Sequence, residues 1–182
     1  MVTSVVQETS PHPPSLEDFL SHPQENMEWV DGQIIEKIGM TLRHSKIQAR
    51  LARHWGNYIL SNEQGGEVYT EALCRTNKQG RRPDVAYLTP ELLTQYGNAN
   101  FLPQSFPLIA EIASPDDSGE ELFAKAKEYL ESGSQEVWLV YPESRWIIII
   151  TQERHLLLTV GETASTQTVL PNFSVAIDEL LA

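Results

Sequence analysis

Glu111 is the one charge in a continuous apolar run, FPLIAEIASP (106–115), and Asp84 stands at the mouth of another, in RRPDVAYL (81–88). A carboxylate inside a run that reads as a buried strand carries a large desolvation penalty unless a cation pairs with it or it ligates a metal. Two acids opening neighbouring strands can converge on one hard cation, which prefers oxygen ligands. Asp84 and Glu111 together are therefore the candidate ligands of a hard divalent cation; Mg²⁺, with Mn²⁺ possible, is the ion expected for the function given below. The competing reading of Glu111 is a salt bridge to Arg81, Arg82 or a helix lysine. For Asp84 alone it is a solvated strand-edge or turn acid. Lys125 and Lys127 follow on the next helical segment, one on each side of its apolar stripe. Beside two acids a lysine could orient an attacking water or stabilise charge developing on a phosphate. The plainer alternative is a pair of solvated lysines matched to Glu121, Glu128 or Glu131 at helical spacing. Periodicity does not choose between the two lysines.

The elements that must position these residues follow from caps, turns and periodicity. SLEDFLSHPQEN (15–26) reads as a short helix capped by Ser15 and ended by Pro23. In EWVDGQIIEKI, Asp31-Gly32 between apolar runs predicts a hairpin of Glu28–Val30 with Gln33–Ile38. Ile47, Leu51, Trp55, Tyr58 and Ile59 form the stripe of an amphipathic helix over 43–60. EVYTEALCRT and PDVAYLTP read as two strands joined by the turn NKQGRR, and 89–105 as a helical turn followed by a loop. FPLIAEIASP suits a buried central strand. Ser118 with Glu121 makes a capping box for a helix with Leu122, Phe123, Ala126, Tyr129 and Leu130 on its stripe, ending at Gly133. QEVWLVYP and RWIIIITQ are further strands, and the remainder reads as a hairpin followed by a short helix in VAIDELLA. Trp138 and Trp146 are read as core aromatics rather than a base-stacking platform. A helix linking two buried strands implies an α/β (α+β) fold: a mixed sheet with helices on its faces.

Composition narrows the classes. The chain has 182 residues, 41% hydrophobic and 21% charged, enough for a single domain over 15–182 behind a loose tail at 1–14. One cysteine, Cys74, excludes an internal disulfide and a cysteine zinc cluster. The five histidines show no zinc-ligand spacing. No signal-peptide pattern opens the chain, and the longest apolar stretch, WIIII, is far shorter than the roughly 20 residues of a membrane span. A soluble, cytoplasmic protein is the expectation. The net charge of −12 runs against tight nucleic-acid binding, although a divalent cation can bridge carboxylates to a phosphate.

PDVAYL, LIAEIASPDD and KAKEYLESGSQEVWLVYP, in this order and spacing, resemble the Uma2 (DUF820-like) family, a branch of the PD-(D/E)XK nuclease superfamily. The similarity runs from EWVDGQIIE through the His44 helix to NFSVAIDELL. It implies a restriction-endonuclease-like core, with the superfamily's proline and aspartate at Pro83 and Asp84 and its second acid at Glu111. It further implies that Glu28 joins the acidic cluster, as an additional ligand or a base. The superfamily's lysine lies two residues after the second acid, where this chain has Ala113. Relatives resembling this one carry a lysine four residues before the tyrosine of K-x-x-x-Y, which falls on Lys125. His44 matches a recurrent family histidine, and a cap or core role is the reading preferred for it. The expected function is a Mg²⁺-dependent endonuclease acting on DNA with Glu28, Asp84, Glu111 and Lys125 as catalytic residues, and by analogy a homodimer. The alternatives are an inactive nuclease-fold binding or assembly module and a metal-dependent hydrolase of smaller phosphate esters.

Overall fold

Short local signals start most of the elements. The computed structural model describes residues 14–37 and 41–182, so the expected tail, apart from Pro14, and the end of the first hairpin at Ile38 lie outside the described residues. Helix α1 (Leu16–Ser21) begins at a capping box in which the Ser15 hydroxyl accepts from the Asp18 amide and Asp18 accepts from the Ser15 amide, each at 3.1 Å. Strands β1 (Met27–Val30) and β2 (Gln33–Glu36) pair antiparallel, Val30 opposite Gln33. Asp31 and Gly32 between them both take left-handed φ, 49° and 85°, which fits the primed turn that matches strand twist. Helix α2 (Leu42–Ser61) is capped by Thr41, whose hydroxyl accepts from the His44 amide.

Next come β3 (Glu67–Tyr69), β4 (Cys74–Arg75), β5 (Gly80–Arg81), β6 (Val85–Leu88), α3 (Pro90–Tyr96) and β7 (Leu108–Ile112). Helix α4 (Gly119–Glu131) starts at the Ser118/Glu121 capping box and leads to β8 (Glu136–Tyr141), β9 (Trp146–Thr151) and β10 (His155–Leu158). The chain ends with β11 (Thr163–Ser165), β12 (Ser174–Ala176) and α5 (Ile177–Leu180). Six strands form the main sheet in the order β10-β9-β8-β7-β6-β3, with β7 and β8 parallel across the α4 connection and the other pairs antiparallel. A four-stranded sheet, β2-β1-β5-β4, and the β11–β12 hairpin complete the architecture.

Alternation along β7 sorts its side chains. Leu108, Ala110 and Ile112 pack with Ile47, Leu51 and Trp55 of α2 on one face, and Ile109 packs with Leu122, Ala126 and Tyr129 of α4 on the other. Full burial of Ile47, Leu51 and Trp55 contributes on the order of 5–9 kcal/mol to holding α2 on the sheet. Glu111 has the parity of Ile109 and so points to the α4 side. This is the mixed sheet with flanking helices that the sequence implies.

Four local expectations fail. NKQGRR is not wholly a turn: its Gly80–Arg81 form β5, which pairs with β1 and β4. EVYTEALCRT is not one strand: Glu71 takes a left-handed φ of 54° and bends the chain, so that β3 joins the main sheet and β4 the smaller one. Phe123 is 41% exposed, because Leu122, Ala126 and Tyr129 complete the buried stripe without it. Trp146 is 45% exposed at the start of β9, whereas Trp138 is fully buried edge-on to Trp55 with ring centroids 5.9 Å apart. Among the described residues no helix is long and apolar enough to cross a membrane.

Candidate active site

Strands β6 and β7 pair antiparallel with Val85 opposite Ala110 and Ala86 opposite Ile109. Continuing that register by one residue sets Asp84 opposite Glu111. Both are buried, at 1% and 2% exposure. Asp84 Oδ2 accepts from the Ile112 amide at 2.5 Å and from His44 Nε2 at 3.2 Å, and its Oδ1 accepts from Lys37 Nζ at 2.7 Å. Burial alone would raise the Asp84 carboxyl, but the charges of Lys37 and His44 and their hydrogen bonds prevail and hold it well below the usual carboxylate range. Burial likewise works against the His44 cation, and the Asp84 contact outweighs it, so His44 lies above its ordinary value.

Glu111 has weaker compensation. Its Oε1 accepts from the Tyr129 hydroxyl at 2.7 Å, and its Oε2 lies 3.6 Å from Lys125 Nζ. Burial raises the Glu111 carboxyl, with Lys125 and Lys37 offsetting part of the effect and Asp84 and Glu28 adding to it. Lys125 is raised in turn, chiefly by Glu111. Burial, reinforced by Glu111 and Glu28, pushes the Tyr129 phenol well up, so it stays protonated and donates. Of the two helix lysines, α4 brings Lys125, 22% exposed, to the acid; Lys127, 77% exposed, reaches only toward Glu131 at 3.8 Å.

Glu28, on β1, is held from two directions. Its Oε1 accepts from the Arg82 amide at 2.8 Å and its Oε2 from Arg81 Nη1 at 3.2 Å. Arg81 also donates to both oxygens of Glu128, at 3.1 and 2.9 Å, and these carboxylates outweigh burial to push the guanidinium above its ordinary value. The Arg82 guanidinium is spent on the carbonyls of Met27, Glu71 and Gln24. The arginines beside Asp84 in sequence thus serve Glu28, Glu128 and the backbone, while the charges on Asp84 come from Lys37, just past β2, and His44 of α2.

Lys37, Glu71 and Gln48 were not singled out in the sequence. Lys37 Nζ donates to Glu71 Oε2 at 2.8 Å and to the Arg82 carbonyl at 2.6 Å as well as to Asp84. Gln48 Nε2 donates to Glu71 Oε1 at 2.7 Å and to the Asp84 carbonyl at 2.9 Å. Burial would lower the Lys37 ammonium, but Asp84, Glu111 and Glu71 together drive it well up. His44 also departs from its reading as a cap or core residue: Thr41 is the cap, and the imidazole lies on Asp84. Its Nδ1 is buried without a hydrogen-bond partner among the described residues. Glu28, Lys37, His44, Asp84, Glu111 and Lys125 line one cleft of about 440 Å³.

The family model described as "Putative restriction endonuclease", Uma2, matches residues 14–178. The chain belongs to the Uma2 family. A crystal structure of a "putative nuclease belonging to DUF820" from Anabaena variabilis ATCC 29413 is similar with a TM-score of 0.82 at 21% sequence identity, covering 93% of this chain and 98% of that one. At that identity the likeness establishes a shared fold. No curated protein matches the chain. In this Uma2 chain the four expected residues, Glu28, Asp84, Glu111 and Lys125, all line the same cleft. Among the described residues no three His, Cys, Asp or Glu side chains form a metal cluster by themselves. The donor set nevertheless fits a hard cation that completes its shell with water and substrate oxygens, as Mg²⁺ does: two buried carboxylates, one directly before β6 and one on the neighbouring β7, the latter with little direct compensation.

Proposed function

We propose that this Uma2 protein is a Mg²⁺-dependent endonuclease that hydrolyses phosphodiester bonds of DNA, with Mn²⁺ able to replace Mg²⁺. The observation that carries the reading is that Asp84, directly before β6, and Glu111, on β7, are both buried and line one cleft, with Lys125 Nζ 3.6 Å from Glu111. Asp84 and Glu111 would hold the ion, with the Ile112 carbonyl as a further ligand. A bound divalent ion polarises a phosphate oxygen and makes water more acidic. Lys125, kept cationic by Glu111, places positive charge where the attacking water and the phosphate meet. Tyr129 fixes Glu111 by donating to Oε1, leaving Oε2 toward Lys125 and the cleft. Glu28, oriented by Arg81 and the Arg82 amide, is a further ligand or the base that takes the proton of the water. By analogy with restriction-type enzymes, a homodimer would reach both strands.

One observation favours a binding or assembly module without cleavage: the net charge of −12 opposes DNA affinity. Incubation of supercoiled plasmid with the protein in Mg²⁺ or Mn²⁺, against an EDTA control, decides between the two. The endonuclease reading expects nicked or linear product that disappears with EDTA and in Asp84→Asn and Glu111→Gln. Cleavage that survives both substitutions refutes the site, and absence of cleavage of any DNA with either ion favours the module.

A further inference from the structure

The Lys37 ammonium is surrounded as a small metal ion would be. Its three hydrogens meet three oxygens: the Arg82 carbonyl at 2.6 Å, Asp84 Oδ1 at 2.7 Å and Glu71 Oε2 at 2.8 Å. These acceptors come from two stretches of the chain, Glu71 and the Arg82–Asp84 segment, and both stretches are held by further hydrogen bonds. The Arg82 amide is bound to Glu28, Glu71 Oε1 is bound to Gln48, and Asp84 Oδ2 is bound to the Ile112 amide. The lysine side chain is 15% exposed and lines the cleft rather than the outer surface. Two carboxylates and one carbonyl converging on a point is the oxygen-rich donor set that hard divalent cations select.

We propose that Lys37 is a resident cation filling a three-oxygen cage of Asp84, Glu71 and the Arg82 carbonyl, where it takes the place of a second metal ion beside the Asp84/Glu111 site. The cage itself is read from geometry alone; only its pairing with a neighbouring metal rests on the proposed function. Asp84 is then the shared carboxylate, Oδ1 facing the ammonium and Oδ2 facing β7. Two-metal phosphodiesterases neutralise charge on both sides of the reacting phosphate with two ions. Here one of the two positive charges is covalently attached and needs no uptake from solution. Because all three ammonium hydrogens are committed to the cage, Lys37 acts on a bound phosphate through charge and through the orientation it gives Asp84. It is a positioning residue. The arrangement also accounts for Glu71: its left-handed backbone, φ 54°, turns the chain between β3 and β4 so that its carboxylate reaches the cage.

Calorimetric titration with MnCl₂ tests the cage without reference to activity. Lys37→Ala empties it and is expected to bind one more equivalent of Mn²⁺ than the wild type. Lys37→Ala/Glu71→Gln is expected to lose that additional equivalent and no other. Equal stoichiometry in wild type and a folded Lys37→Ala, checked by circular dichroism, overturns the inference. If the wild type binds no Mn²⁺ while Lys37→Ala binds one equivalent that requires Glu71, the cage stands and the metal reading of Asp84/Glu111 falls. Should Lys37→Ala fail to fold, the wild type supplies the test: acylation of lysine amines read by mass spectrometry. Lys37 is expected to react more slowly than Lys127 both with and without Mg²⁺, and a Lys37 released to react by Mg²⁺ would show that the ammonium is displaced rather than resident.

Discussion

Glu111→Gln is expected to abolish metal-dependent activity and yet stabilise the metal-free protein. Glu111 is 2% exposed, and its one short contact is the Tyr129 hydroxyl donating to Oε1 at 2.7 Å. A glutamine amide oxygen accepts that bond equally well. Lys125 stands 3.6 Å from Oε2, too far for a strong charge-assisted hydrogen bond, and at 22% exposure it can turn to water when the carboxylate is gone. Against this modest loss, the substitution removes the desolvation penalty of a buried charge and its repulsion by Asp84 and Glu28. The balance is a gain of about 1–2 kcal/mol, or a rise in Tm of roughly 2–8 °C for a chain of this size. A carboxyl whose value is raised on folding binds its proton more tightly in the native state. Its penalty therefore develops as pH rises from the ordinary carboxylate value through the folded value, and is complete above it. The gain of Glu111→Gln should thus be present at pH 8 and vanish toward pH 4. Thermal denaturation in EDTA at the two pH values measures it. A Gln variant less stable than wild type at pH 8 would refute the reasoning, because Glu111 would then be stabilised by its neighbours rather than held for function at their expense.

Lys125→Met is expected to lose cleavage, whereas Lys127→Met, at an exposed position paired only with Glu131, should change stability by no more than about 0.5 kcal/mol and leave cleavage intact; parallel plasmid assays and melting curves check both. For His44→Gln the expectation concerns pH. The raised value of His44 means that its bond to Asp84 stabilises fully below the unfolded value near 6.5 and is lost as pH rises through the folded value. The variant's deficit, measured by urea denaturation, should be large at pH 5.5 and shrink on the alkaline side. In the core, Trp55→Ala should cost about 3–5 kcal/mol by removing the edge-on contact with Trp138. Trp55→Phe should cost less than that, because the indole Nε1 is buried without a hydrogen-bond partner among the described residues and its removal leaves nothing unpaired; urea denaturation ranks the two.

What the sequence reveals follows the reach of the signal. Ser15 with Asp18, Asp31-Gly32 and Ser118 with Glu121 act within a turn of chain, and the corresponding ends of α1, β1–β2 and α4 are legible from them, whereas α2 is legible from its apolar stripe and not from its cap, Thr41. Asp84 and Glu111 are legible because each is an anomaly in an apolar run, and Lys125 follows from the family pattern. Lys37 carries no such mark: its partners are 34 to 47 residues away, and nothing local distinguishes it from a solvated lysine after a strand. Glu71 is hidden similarly, since its left-handed turn occurs in a stretch whose composition reads as one strand. His44 and Gln48 did leave a trace. With Leu51 and Trp55 they extend the buried stripe of α2 at spacings of four, three and four, and a polar residue on a buried face signals a partner across the interface. Phe123 and Trp146 show the converse: apolar type does not ensure burial where the neighbouring stripe and sheet are already complete.

Whether Asp84 and Glu111 hold a divalent ion is decided by calorimetric titration of the wild type with Mg²⁺ beside the Asp84→Asn/Glu111→Gln double variant. Saturable binding is expected of the wild type, and none at this site in a folded double variant. Undiminished Mg²⁺ affinity in the double variant would contradict that expectation, since the ion would then be held elsewhere than across β6 and β7.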